Sequence, residues 1–164
     1  MTETPSPGTT SPDTTTTRLV EITDDNFGAA NRIKVHEAQE QFVAPVLYSL
    51  AQAYTQRDTA WPRLLMDGDE AVGFVMATFA PEHEDPDCRA DLWRLNIAKE
   101  HQGRGYGRRA VEGVVEEARR RGFTRVTVSW VPGEGSPEGF YLALGFEKTG
   151  RVEDGETIAA LRIG

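Results

Sequence analysis

Gln102-Gly103-Arg104-Gly105-Tyr106-Gly107 lies between an apolar run, Leu92-Trp93-Arg94-Leu95-Asn96-Ile97-Ala98, and a helical pattern that begins near Arg108. The order strand, glycine loop, helix predicts an α/β fold and an anion site. Glycines remove the side chains that hold a ligand away from the backbone, and they permit left-handed dihedrals. The loop amides and the first helical turn then direct free N–H donors at one place, where the helix dipole also favours negative charge. Arg104, Arg108 and Arg109 add fixed positive charge beside it. A diphosphate is the expected guest.

Other readings of the loop fail on spacing. A P-loop requires Gly-Lys-Ser/Thr, and Gly107 is followed by Arg108-Arg109. The dinucleotide fingerprint G-x-G-x-x-G sits on the first strand of a βαβ unit, whereas G-x-G-x-G stands here in mid-chain. An arginine–glycine contact to RNA would suit the composition of the loop. The flanking strand and helix, and an acidic chain, argue against it.

On the C-terminal side of the loop, Ala110, Val111, Val114, Val115 and Ala118 mark the buried stripe of a helix. Arg119-Arg120-Arg121 complements its negative end, and Gly122 stops it. Val126, Val128 and Trp130 alternate as a strand, and Pro132 to Pro137 is a glycine-rich turn. Phe140, Tyr141 and Leu144 begin a short helix closed by Gly145. Phe146 to Val152 and Thr157 to Ile163 form a final hairpin around Glu153-Asp154-Gly155.

On the N-terminal side, an acidic loop spans 81–91. Before it, Arg63-Leu64-Leu65-Met66 and Glu70 to Phe79 make a hairpin about Asp67-Gly68-Asp69. Pro45 opens a helix with Leu47, Leu50, Ala51 and Tyr54 on one side. Thr23-Asp24-Asp25 caps another, expected to run to about Gln39. Arg18 to Ile22 is a first strand. Residues 1–17 are Thr, Pro and Ser with little apolar content, which predicts a disordered tail ahead of one domain at 18–164. The predicted order is β-α-α-β-β-β-α-β-α-β-β, a mixed α/β sheet.

Eighteen Lys and Arg against twenty-six Asp and Glu give a net charge of −8, which disfavours nucleic acid as a partner. No apolar run is long enough to span a bilayer, so no membrane partner is expected. The start lacks the pattern of a secretory signal, and Cys88 is the single cysteine; both fit a reducing cytoplasm. Cys88 lies in a charged loop without an obvious activating partner. Glu82, Glu84, Asp85, Asp87 and Asp91 crowd together while arginines gather on the helix after the loop. One pole suits an anionic cofactor and the other a cationic substrate.

The loop resembles the Q/R-x-x-G-x-G/A signature of the GNAT superfamily of N-acetyltransferases, and the predicted element order is similar to that fold over residues 18–164. The fold implied is a mixed, mostly antiparallel central sheet flanked by helices on both faces. The resemblance implies acetyl-CoA as cosubstrate and no metal. Its pyrophosphate would be held by Gln102, Gly103, Arg104, Gly105, Tyr106, Gly107 and Arg108, and its pantetheine arm by Leu95, Asn96 and Ile97. The stretch Pro137 to Phe146 resembles the family's A-x-x-x-Y-x-x-x-G-F, which makes Tyr141 the acid that protonates the leaving thiolate. The Asn that many members place before this helix is replaced by Gly133-Glu134-Gly135-Ser136, leaving Ser136 or a backbone group as the substitute. The Glu base of some polyamine acetyltransferases corresponds to Trp93 here, so Glu82 and Glu84 stand as candidates for the base.

Val20 to Asn26, Gln39 to Val43, Tyr48-Ser49-Leu50 and Pro81 to Asp85 resemble bacterial spermine/spermidine acetyltransferases. That resemblance implies a polyamine or diamine acceptor, with Glu37, Glu40, Glu82 and Glu84 binding its ammonium groups. It is also compatible with a homodimer. A protein N-terminus or an aminoglycoside-type amine remains an alternative acceptor. A non-catalytic acyl-CoA sensor would keep the glycine loop without needing Tyr141.

Overall fold

The computed structural model describes residues 16–164. Strand β1 (Thr17–Val20) is followed by helices α1 (Phe27–Arg32) and α2 (Val46–Thr55), then β2 (Ala60–Asp67), β3 (Glu70–Phe79) and β4 (Ala90–Ile97). Helix α3 (Tyr106–Arg120) connects β4 to β5 (Arg125–Trp130), and α4 (Glu138–Ala143) precedes β6 (Glu147–Glu153) and β7 (Glu156–Arg162). The seven strands form one sheet in the order β1-β2-β3-β4-β5-β7-β6. All but one of the neighbouring pairs are antiparallel. The β4–α3–β5 crossover makes the one parallel pair.

Burial on both faces accounts for the continuous apolar character of β3. Val75, Ala77 and Phe79 pack with Ala110, Val111, Val114 and Ala118 under α3. Phe74 and Met76 pack on the opposite face with Ala30, Ile33, Val46 and Ala53 from α1 and α2. Strand β4 carries an extra residue, because Leu92 pairs with Ala77 and Arg94 with Met76, leaving Trp93 as a bulge. A bulge bends its strand and disrupts the ladder locally. Strands β4 and β5 pair only at Asp91–Thr127 and Leu92–Val128, so β4 from Leu95 onward has no β5 partner.

Several sequence expectations are corrected here. The first helix ends at Arg32 rather than near Gln39, because Ile33 turns extended and Lys34 O accepts a hydrogen bond from Lys99 N at 2.8 Å. β-Branched Ile33 and Val35 favour that extended path. A short 3₁₀ turn at Glu37–Gln39 follows, with Gln39 Oε1 accepting from His36 N at 3.0 Å. In α2 the buried positions are Val46, Ser49 and Ala53, while Leu47 and Tyr54 are 53% and 67% exposed. Ser49 hides the true stripe by being polar, and it is tolerated inside because its hydroxyl bonds Pro45 O at 3.2 Å. The disordered stretch expected over 1–17 falls outside the described residues up to 15. Thr17 already belongs to β1, and the Thr16 hydroxyl bonds Asp67. The last hairpin closes through Asp154 and Gly155, both at positive φ (48° and 82°), as a two-residue turn between right-twisted strands requires.

Candidate active site

The glycine loop joins β4 to α3. Gly103 and Gly105 have φ of 77° and 85°, and Gly105 is the N-cap of α3. A Cβ at either would meet no atom within 4 Å, so the dihedral and not the space requires glycine there. Gly107 is different. A Cβ there would stand 3.1 Å from the Phe140 ring, so its absence lets α4 close on the first turn of α3. Arg109 N–H is bonded to Gly105 O at 3.2 Å, while the preceding amides of the first turn have no helical acceptor. They open on a cleft of about 1160 Å³ lined by Gly103, Gly105, Tyr106, Gly107 and Arg108. This chemistry fits the diphosphate of a coenzyme: backbone donors, a helix N-terminus and one exposed cation.

The other residues assigned to the cofactor divide. Leu95, Ile97, Ser136 and Tyr141 line the same cleft. Asn96 lies on the opposite face of β4, buried, with Nδ2 donating to Ala44 O at 3.0 Å. Its side chain braces the segment before α2, so only its backbone is left for a pantetheine arm. The Gln102 amide donates to Ile97 O at 3.0 Å and pairs with Gln39 at 2.8 and 3.0 Å, tying the loop to the 3₁₀ turn. The Tyr106 hydroxyl donates to Asp67, and its ring meets His101 edge-on at 6.0 Å. Those bonds from Thr16 and Tyr106 hold the Asp67 carboxyl below its usual range. Tyr106 therefore anchors the loop to the β2–β3 turn. Arg104 is exposed and lies outside the cleft lining.

Tyr141 is 6% exposed and sits between three rings. It stacks on Trp130 at 5.8 Å and meets Phe140 and Phe146 edge-on at 5.0 and 5.6 Å. Burial pushes its phenol well above the ordinary value, and the charge of Asp91 adds to the rise. The hydroxyl thus stays protonated at any working pH. Trp130 also lines the cleft, and its buried indole N–H has no partner.

The acidic residues are rearranged relative to expectation. Glu82, Glu84 and Glu37 are exposed and do not line the cleft, whereas Glu40 does. The loop carrying Glu82 and Glu84 is held away by a clasp: Arg151 of β6 pairs with Asp85 at 2.8 Å and also bonds Asp87, and Arg125 of β5 pairs with Asp87 at 2.6 Å. Arg151 holds the Asp85 carboxyl down to about 2. That part of the acidic run is thus neutralised by arginines from later strands.

Asp91, absent from the expected site, is the acid of the run that the fold brings to the cleft. Asp91 lines the cleft, and its carboxylate accepts from Thr127 Oγ1 at 3.1 Å. Burial raises its carboxyl to about 7, with nearby Glu156 adding to the rise and the Thr127 hydrogen bond opposing it. Glu156, whose carboxylate accepts from Ser129 Oγ at 2.5 Å, lines the same wall with Glu153 and Asp154. The sequence signal for Asp91 was its position at the start of the strand, the last acid of the run. Among the described residues no group of three or more His, Cys, Asp or Glu could hold a metal, and no helix is long and apolar enough to cross a membrane.

This arrangement places a candidate diphosphate cradle, a strand segment open on its β5 side and a buried tyrosine along one cleft. Residues 18–146 match the family model described as the acetyltransferase (GNAT) family, and the chain belongs to that family. N-acetyltransferase 8F1 of Rattus norvegicus is 33% identical over 86 residues, 51% of this chain and 38% of that protein. The chain thus spans well under half the length of this curated relative. An acetyltransferase from Thermus thermophilus superimposes with a TM-score of 0.68 at 27% identity, covering 90% of this chain and 97% of that one. The Salmonella typhimurium protein yncA, solved with its cofactor acetyl-CoA, shares the fold at 15% identity and a TM-score of 0.60, covering 91% and 95%. The seven-stranded mixed sheet with helices on both faces is the GNAT fold.

Proposed function

We propose that this chain transfers an acetyl group from acetyl-CoA to a primary amine, with Asp91 as general base and Tyr141 as general acid. The observation that carries the reading is Asp91, a cleft carboxylate whose raised pKa of about 7 suits proton abstraction near neutrality. Acetyl-CoA supplies the acetyl group as a thioester. Gly103 to Arg108 hold its diphosphate, and the backbone of Leu95 to Ile97, free of β5, orients its arm. Asp91 takes a proton from the acceptor ammonium, leaving the neutral nitrogen that direct attack requires. A β4 amide polarises the carbonyl oxygen. As the carbon–sulfur bond breaks, the Tyr141 hydroxyl gives its proton to the departing sulfur and regains one from the newly acylated nitrogen.

The acceptors favoured are diamines and polyamines. Glu40, Glu153, Asp154 and Glu156 on the cleft wall support a second positive charge beyond the reacting nitrogen. Thiol release from acetyl-CoA with cadaverine, spermidine and pentylamine tests the proposal. Cadaverine and spermidine, with a second positive charge, are expected to outperform pentylamine, with an advantage that shrinks in salt. Asp91→Asn is expected to lower kcat about 10²–10⁴-fold and to remove the acidic limb of the pH–rate profile. Acetyl-CoA binding without thiol release to any amine would leave a coenzyme sensor. Equal rates on cadaverine and pentylamine would leave an acetyltransferase without the diamine preference.

A further inference from the structure

Arg94 occupies the same face of β4 as Asp91. A regular strand would put residues three apart on opposite faces, but the Trp93 bulge shifts the alternation. Asp91 stands opposite Thr78 and Arg94 opposite Met76, which share one side of β3. Both residues line the cleft. The Arg94 guanidinium donates through Nη2 to Gln52 Oε1 of α2 at 2.9 Å and through Nη1 to Trp93 O at 3.0 Å, and it lies 5.0 Å from the Trp93 ring centroid. These contacts fix its plane. Its Nε is buried and has no hydrogen-bond partner.

Three other arginines of the sheet are paired. Arg63 meets Glu21 at 3.6 Å, Arg125 meets Asp87 at 2.6 Å, and Arg151 meets Asp85 at 2.8 Å. Among the described residues Arg94 has no ion pair, although Glu156 and Asp91 lie near enough to act on it through space. A charge withdrawn from water is costly unless paired, and a guanidinium prefers a planar, two-oxygen partner. Arg94 lines the cleft with its guanidinium held by two neutral acceptors and with no counter-ion bonded to it among the described residues.

We propose that Arg94 is the subsite for a carboxylate carried by the acceptor, so that the preferred acceptor is an amine bearing a carboxylate, dibasic amino acids being the members that also present a second ammonium group. This rests on the primary-amine reading above and narrows it: Asp91 receives the ammonium and Arg94 the carboxylate of one zwitterionic molecule.

Lysine, lysinamide and cadaverine isolate the effect. Lysine is cadaverine plus a carboxylate, and lysinamide keeps both amines while removing the negative charge. With wild-type protein and acetyl-CoA, kcat/KM for lysine should exceed that for lysinamide and cadaverine by about 10- to 100-fold, the worth of charge-assisted hydrogen bonds. Arg94→Gln should collapse the lysine-to-cadaverine ratio toward unity through KM, and Arg94→Lys should restore part of it. Cadaverine equal to or better than lysine in the wild type would overturn the proposal without any variant. So would a ratio that survives Arg94→Gln. In both cases thiol release with cadaverine preserves the acetyltransferase reading; release with no amine at all fails that reading instead.

Discussion

Leu95 and Ile97 of β4 turn toward α3 and the glycine loop, whereas Asp91 and Arg94 of the same strand turn toward α2. The first face belongs to the proposed cofactor half, built from one nearly continuous stretch, Leu92 to Arg109. The second belongs to the proposed acceptor half, assembled from α2, β4, β5 and the β6–β7 hairpin. The cofactor half works through backbone: amides, positive φ angles and a helix end, with side chains kept out of the way. The acceptor half works through side-chain charge withdrawn from water. Substitutions should therefore act differently on the two. In the first, adding a side chain does harm; in the second, removing a charge does.

The largest expected effect sits where the halves meet. Tyr141→Phe keeps the ring between Trp130 and Phe146 and removes only the hydroxyl. Turnover should fall about 10²–10⁴-fold with acetyl-CoA affinity nearly unchanged. A loss below about tenfold would reduce Tyr141 to a packing residue.

Gly105→Val tests the backbone half. A β-branched residue at φ of 85° carries strain of about 1–3 kcal/mol, so acetyl-CoA binding by calorimetry should weaken about 5- to 150-fold. Unchanged affinity in a folded variant would break the contrast drawn here. Arg108→Ala removes an exposed charge from the same cradle and should weaken binding only about two- to fivefold, less in high salt.

Asp91 sharpens the contrast through stability. Its native carboxyl, at about 7, lies above the ordinary 3.8. Between those values the folded protein retains a proton that the unfolded chain has lost, so stability falls as pH rises and the deficit is complete above about 7. Asp91→Asn should therefore raise Tm most above pH 7 and change it little near pH 4, while lowering activity. Asp85 has the opposite sign: held near 2 by Arg151, it contributes stability above 3.8 that is lost as pH falls through 2. Glu82→Gln and Glu84→Gln, outside the cleft, should alter KM for any amine by less than about twofold. A larger rise in KM would return those residues to the acceptor site.

The sequence by itself determined the element order and the glycine loop on which the proposed cofactor half is built. A glycine loop between strand and helix acts through local dihedrals and local donors, and Tyr141 sits in a ten-residue pattern, so neither depends on a distant partner to be read. The bounds of α1 and the buried face of α2 were less legible. Backbone pairing of Lys34 with Lys99 and the Pro45 carbonyl beneath Ser49 are tertiary or cap contacts that overrule helical periodicity. The acceptor half was decided by tertiary structure alone. In the sequence Asp85, Asp87 and Asp91 are equivalent acids of one run. In the fold the first two pair with arginines from β5 and β6, and the third bonds a threonine hydroxyl beside a cleft. A charge becomes chemistry through what surrounds it, and those surroundings come from strands 34 to 65 positions further along the chain, as Arg125 and Glu156 are from Asp91.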